Sequence, residues 1–182
     1  MNPWTLLGST SIYRNPWIHV REDRVLRPDG QPGIYGVIEI PPSIAVLALD
    51  ELDQLLLIGQ WRYTRNKYSW ELPIGSSDAE DVNIQETAAR ELREEAGVEA
   101  MHWKPLGTLE ATIGVTTDTQ WLFLATGLTK GVSTPDGDEQ LAAKWISFAE
   151  AVRMVLRGEI CEAASTGAIL KLDALRRYGP LS

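Results

Sequence analysis

The sequence predicts an α/β fold, a central sheet flanked by helices and preceded by an N-terminal antiparallel strand segment. Three observations lead to it. Ile84, Ala88, Leu92 and Ala96 recur four apart with Ala89 beside them, which makes one apolar face of a helix. Residues 44–49 and 55–61 are nearly continuous apolar runs across the turn Asp50-Glu51-Leu52-Asp53, the pattern of strands buried on both faces. Residues 1–40 instead alternate short apolar and polar positions, as antiparallel strands with a hairpin do.

In chain order, strands are expected at residues 4–13, 17–25 and 34–40, with a turn at Pro28-Asp29-Gly30 or at Pro32-Gly33. Two or three strands alone are marginal in water, so this segment needs the main domain or another subunit as a partner. Pro41-Pro42 punctuates the boundary, which separates a β segment at 1–40 from a main domain at 41–182. Residues 44–49 and 55–61 open the central sheet. Gln60-Trp61-Arg62-Tyr63 then leads through a polar loop at 64–67 to Tyr68-Ser69-Trp70-Glu71-Leu72-Pro73-Ile74-Gly75, a rigid entry to the helix that starts near Asn83 and stops at Gly97. Strand signals return at 103–109 and 119–128. Residues 129–140 form a loop containing Gly, Pro and Asp, ahead of a last strand at 141–146. Residues 148–156 and 162–177 read as amphipathic helices, the second ended by Gly179-Pro180.

At 182 residues and 44% hydrophobic, the chain is long enough for one domain with a full core. Its net charge of -8, from 25 acidic against 17 basic residues, would repel DNA or RNA, and no segregated basic patch offsets it. Nucleic acid is therefore not an expected partner. The single Cys161 excludes an internal disulfide, and the isolated His19 and His102 cannot build a zinc site by themselves. No basic segment followed by an apolar one opens the chain, and no apolar run reaches about 18 residues. The expectation is a cytoplasmic protein with no membrane partner.

The chemistry concentrates on the helix. At roughly 100° of rotation per residue, Glu91, Glu94 and Glu95 fall within about 100° of arc, away from the apolar face, so their carboxylates can converge. Such like charges destabilise a helix, and near its C-terminus the macrodipole disfavours anions as well. A hard divalent cation reverses the sign of that interaction. Oxygen ligands without a Cys or His pair suit Mg²⁺ or Mn²⁺, and the carbonyls of the Pro73–Gly75 loop can join them. The competing reading is a solvated face with pairs such as Glu86 and Arg90.

The run Arg90-Glu91-Leu92-Arg93-Glu94-Glu95-Ala96-Gly97-Val98, entered through Glu71-Leu72-Pro73-Ile74-Gly75, resembles the signature of the Nudix hydrolases, which cut diphosphate linkages between a nucleoside and another group. Gln60-Trp61-Arg62-Tyr63 and Leu122-Phe123-Leu124-Ala125-Thr126-Gly127-Leu128 are similar to the branch that acts on ADP-ribose and related nucleoside diphosphate sugars. The resemblance implies a Nudix-type α/β/α sandwich with a mixed central sheet, and an N-terminal segment that builds a homodimer. It also implies Mg²⁺ or Mn²⁺ held by Glu91, Glu94, Glu95, the Ile74 carbonyl and Glu139 from the loop at 129–140. Glu94 and Glu139 are the implied catalytic carboxylates. Arg62, Gly75 and Arg90 are placed against the substrate, and Trp17 against the nucleobase, where an indole face can stack for about 1 to 3 kcal/mol.

Three departures from the family pattern stand out. The loop before the helix is one residue longer, so Val82 falls where the family has a Glu, with Asp81 or Glu80 as substitutes. Ile113 and Asp118 replace a Pro and a Glu typical of ADP-ribose enzymes, and Gly137 stands where some members keep the general base. The implied activity is metal-dependent hydrolysis of a nucleoside diphosphate sugar to a nucleoside monophosphate and a sugar phosphate. The alternative is a non-catalytic Nudix domain that senses a nucleotide sugar.

Overall fold

The computed structural model describes residues 1–78, 81, 83–133 and 140–179. Its contacts divide the chain into two compact units, Met1–Pro42 with Glu110–Thr119, and Ser43–Leu109 with Gln120–Ser182.

In the first unit, β1 (Thr5–Arg14), β2 (His19–Leu26) and β3 (Pro32–Glu39) form an antiparallel sheet in that order. The β2–β3 turn falls on the first of the two expected sites: Gly30, at φ 78°, donates its N–H to Arg27 O at 2.8 Å, while Pro32 pairs with Leu26 inside the sheet. Residues 110–119 lie along β3, where Ile38 N–H donates to Val115 O at 2.9 Å and Thr117 N–H to Ile38 O at 3.0 Å. Nothing in the local sequence of 110–119 announces that pairing. Buried Asp23 is satisfied by Ser9 Oγ at 2.6 Å and by Arg21, whose Nε also reaches Glu39 at 2.8 Å. His19 and His102 are strand residues, His19 opening β2.

The second unit contains β4 (Ser43–Ala48), β5 (Gln54–Arg62), β6 (Lys67–Glu71), β7 (Ile74–Ser76), α1 (Ile84–Ala96), β8 (Val98–Leu109), β9 (Gln120–Lys130), β10 (Ala142–Ser147), α2 (Phe148–Leu156) and α3 (Ala163–Tyr178). β7, β4, β9 and β8 make a mixed sheet in that order, with β4 parallel to β9 and the other pairs antiparallel. β10, β5 and β6 form a second, antiparallel sheet. The two apolar runs expected to open one sheet thus fall in different sheets, joined by the single bridge Leu49↔Leu55. Between them, Asp50 Oδ1 accepts from Leu52 N and Gln54 N at 2.9 and 2.8 Å, and Asp53 turns the chain at φ 57°.

β4 shows why its run is apolar throughout. Ile44, Val46 and Ala48 pack with Ala88 and Leu92 of α1, whereas Ala45, Leu47 and Leu49 pack with α2 and α3 residues such as Val152, Ile169 and Leu172. Helices cover both faces, which is the α/β/α layering expected. The stretch read as a loop entry to α1 is two short strands, β6 and β7. β8 also starts at Val98, directly after Gly97, because Gly97 at φ 62° turns the chain sharply at the helix end.

Candidate active site

α1 is built as its sequence dictates. Asn83 caps its N-terminus, accepting from Gln85 N and Glu86 N at 3.0 and 3.1 Å, and its amide returns a hydrogen bond to Glu86 at 3.1 Å. Gly97 closes the other end, its N–H donating to Arg93 O at 2.8 Å. Ser133 Oγ donates to Glu94 O at 2.8 Å and to Glu95 O at 3.2 Å, so the last turn's carbonyls also have a partner.

Buried Ala88 and Leu92 fix the inward face and thereby the direction of the acids. Glu95 is 6% exposed, and its Oε2 accepts from Ile74 N–H at 3.2 Å. In an antiparallel ladder, successive residues turn their N–H and C=O alternately toward and away from the neighbouring strand. Ile74 pairs with Ala45, yet its N–H is given to Glu95 while the preceding Pro73 carbonyl accepts from Val46 N–H at 3.0 Å. Ile74 therefore points both backbone groups away from β4, toward the α1 edge. Gly75 lies directly against Glu91: a Cβ there would fall inside the Glu91 carboxylate. The glycine is what lets this acid approach the β7 backbone.

Arg90 binds the acids together. Its guanidinium donates to Glu91 at 2.9 Å, Glu94 at 3.1 Å, Ser76 O at 3.0 Å and Asp81 at 3.2 Å, and pairs with Asp78 at 3.2 Å. Burial lowers the Arg90 pKa, but the hydrogen bond to Asp81 and the Glu91 charge outweigh it and hold the pKa above its usual value. The same hydrogen bond is the main reason that the Asp81 carboxyl is pulled down to about 2. Thr87 Oγ1 and Asp78 N–H also donate to Asp81, at 2.8 and 2.9 Å. Asp81, one of the two substitutes for the family's loop Glu, is thus committed to Arg90 and Thr87. Glu80, the other, lies outside the described residues.

Arg62, expected against substrate phosphate or ribose, closes its fork on the carboxylate of Glu71, with Nε 3.1 Å from both oxygens and Nη2 in contact as well. Glu71 is 1% exposed, so this is a buried charge with its counterion. Burial lowers the Arg62 pKa, and Glu71, with the charges of Glu95 and Glu162, more than restores it. A Glu between Trp70 and Leu72 signals a buried acid that needs a cation, but its local sequence does not name Arg62 as that cation.

The structure thus brings together Ile74, Gly75, Arg90, Glu91, Glu94 and Glu95, with Arg62 held by Glu71 in the same unit. Trp17 belongs to the first unit, where it is 74% exposed beside a pocket of about 320 Å³ shared with Arg14, His19 and Glu39. Glu139 lies outside the described residues. Among the described residues no three acidic, His or Cys side chains are grouped so as to hold a metal ion, and Arg90 supplies the positive charge at Glu91 and Glu94. The donor chemistry nevertheless suits a hard divalent ion: three carboxylates within about one turn of α1, the backbone edge of Ile74 beside them, and a cradle at Gly75 that the Glu91 carboxylate fills.

Comparison with known proteins gives the family. Residues 39–163 match the model of the NUDIX domain, and residues 4–38 that of the nucleoside diphosphate sugar hydrolase N-terminal domain. The ADP-ribose pyrophosphatase of Mycobacterium tuberculosis is 32% identical over 172 residues, covering 93% of this chain and 83% of that one. A methanol dehydrogenase activator of Bacillus methanolicus is 26% identical, covering 92% and 91%. A crystal structure of an ADP compounds hydrolase superposes with a TM-score of 0.84 at 20% identity, over 98% of this chain and 97% of that one. With its acidic helix, its Gly75 cradle and a domain match over most of its length, the chain belongs to the Nudix hydrolase family.

Proposed function

We propose that the protein hydrolyses the diphosphate bond of an ADP-ribose-like nucleoside diphosphate sugar, giving a nucleoside monophosphate and a sugar phosphate. The observation that carries this is the clamp between β7 and α1, where Ile74 N–H meets Glu95 at 3.2 Å and Gly75 makes room for Glu91. Glu91, Glu94, Glu95 and the Ile74 carbonyl would hold Mg²⁺ or Mn²⁺. Bound there, such an ion neutralises the diphosphate, stabilises the departing phosphate's charge and lowers the pKa of a water. Glu95 keeps the carbonyl edge of β7 in register with α1. Glu94, at 31% side-chain exposure against 14% for Glu91, is the helix acid best placed to accept a proton from water. Glu139 is the loop carboxylate for the same task.

Trp17 would stack on the base, and the apolar side chains that β1 and β3 leave exposed, Leu6, Leu7, Ile12 and Ile34, would be covered in a homodimer. No helix among the described residues is long and apolar enough to cross a membrane.

Product analysis with ADP-ribose and GDP-mannose, with and without Mg²⁺, tests the proposal. Release of AMP or GMP with the matching sugar phosphate, only when metal is present, is the expected result. Metal-dependent binding without product would instead establish a nucleotide-sugar sensor.

A further inference from the structure

The bend between β6 and β7 is gripped by four elements. Arg62 of β5 holds Glu71 at 3.1 Å, Val46 N–H of β4 donates to Pro73 O at 3.0 Å, and Glu95 of α1 accepts from Ile74 N–H at 3.2 Å. The fourth grip comes from α3, where Ser165 Oγ accepts from Leu72 N–H at 2.9 Å. Ser165 is completely buried. Glu162 decides how its hydroxyl points. This N-cap residue of α3 accepts from Ala164 N at 2.9 Å and Ser165 N at 2.7 Å, and its Oε2 also accepts the Ser165 hydroxyl proton at 2.8 Å. With that proton committed to a carboxylate, Oγ can only present a lone pair to Leu72.

We infer that Ser165 is a positioning residue of the hydrolase: the capped N-terminus of α3, through Ser165 Oγ, sets where the Leu72-Pro73 bend lies and so where the Ile74 carbonyl and the Gly75 cradle face α1. Pro73 makes the transmission direct. Its ring fixes φ near -65°, which removes one of the two rotations that could absorb a displacement at Leu72 before it reaches Ile74. Removing the hydroxyl leaves the Leu72 N–H buried without a partner, and the bend must shift toward one. The inference rests on the metal site proposed above.

The test is Mn²⁺ binding to the full chain without nucleotide, followed by paramagnetic resonance of the free ion, for wild type, Ser165→Ala and Ala168→Gly. Ala168→Gly loosens the same helix without touching the hydroxyl. Ser165→Ala should weaken Mn²⁺ binding about ten-fold, the scale of lost outer-shell support, while Ala168→Gly leaves it unchanged. Equal binding by wild type and Ser165→Ala, or equal weakening by Ala168→Gly, overturns the inference and spares the metal site. No binding by wild type sinks both. Should Ser165→Ala fail to fold, amide exchange in the wild type decides. Coupling is reciprocal, so saturating Mg²⁺ must slow exchange of the Leu72 amide, and an unchanged rate refutes the link.

Discussion

Gly75→Ala separates folding from chemistry in this site. The Gly75 backbone lies outside the left-handed region, in a strand paired with Ile44, so alanine suits it conformationally. The new methyl group, however, falls inside the Glu91 carboxylate, and reaching an ordinary contact of 3.4 Å requires that group to move by roughly 1 Å or more. Glu91 is a flexible side chain at 14% exposure and can swing outward, at the cost of its 2.9 Å pair with Arg90. A partly exposed pair contributes up to about 1 kcal/mol, and overpacking against a side chain that can yield costs about 1 kcal/mol, the low end of its range, so the variant should lose about 1 to 2 kcal/mol. For a chain of this length that is a fall in Tm of about 2 to 8 °C, readable by calorimetry. Turnover should suffer far more, because a displacement of about 1 Å in a catalytic group costs about 100-fold in rate. A folded Gly75→Ala protein with near-normal kcat/KM on its nucleotide sugar under saturating Mg²⁺ would refute the placement of Glu91 at the reacting centre.

Four other outcomes follow from the same geometry. Glu95→Gln should fold normally and lose at least about 100-fold in kcat, on the scale of losing a key charge stabiliser, and an active variant would remove Glu95 from the site. Arg62→Ala strands the buried Glu71 and should cost about 3 kcal/mol, the low end for a broken buried pair because Arg62 is itself 37% exposed; a normal melting curve with only KM raised would make Arg62 a substrate contact instead. The folded-state pKa of Asp81, about 2 against an ordinary 3.8, means that its contribution is complete above about pH 4 and is lost as pH falls toward 2. Asp81→Asn should flatten the stability-versus-pH curve in that window, and overlapping wild-type and variant curves would contradict the Arg90 contact. Finally, Mg²⁺ at about 100 times its Kd should add up to about 2.7 kcal/mol, less whatever Arg90 gives up, and a Tm indifferent to Mg²⁺ would argue against a metal-binding helix.

What the sequence made legible was whatever a local period or cap could encode. Ile84, Ala88 and Leu92 announced the inward side of α1, and Gly97 its end. The β6–β7 bend was not legible, because its strands are only five and three residues long and their partners come from distant segments. The family resemblance places Arg62 against the substrate. Only the fold shows that the nearest carboxylate is Glu71. The pairing of residues 110–119 with β3, and the contact of Ser165 with Leu72, are likewise non-local: two hydroxyls in Ala163-Ala164-Ser165-Thr166 read as ordinary helix-start residues until the chain is folded.

Arg90 gives Asp81, ahead of α1, a physical role. Glu91 repels Glu94 and Glu95 by about 0.2 to 0.5 kcal/mol per pair, and Glu94 and Glu95, in the last turn of α1, each meet an adverse dipole of about 0.3 to 1 kcal/mol. Burying Leu92 against Ile44 and Val46 returns about 1.5 to 3 kcal/mol, enough to keep the helix folded but not to aim the acids. Aiming them needs a cation held at a fixed point, and Arg90 is fixed because Asp81, Asp78 and Ser76 O grip it from the loop side while Glu91 and Glu94 take the other. Asp81 therefore helps to aim Glu91 and Glu94 by holding Arg90. Its carboxylate acts on the glutamates through the arginine.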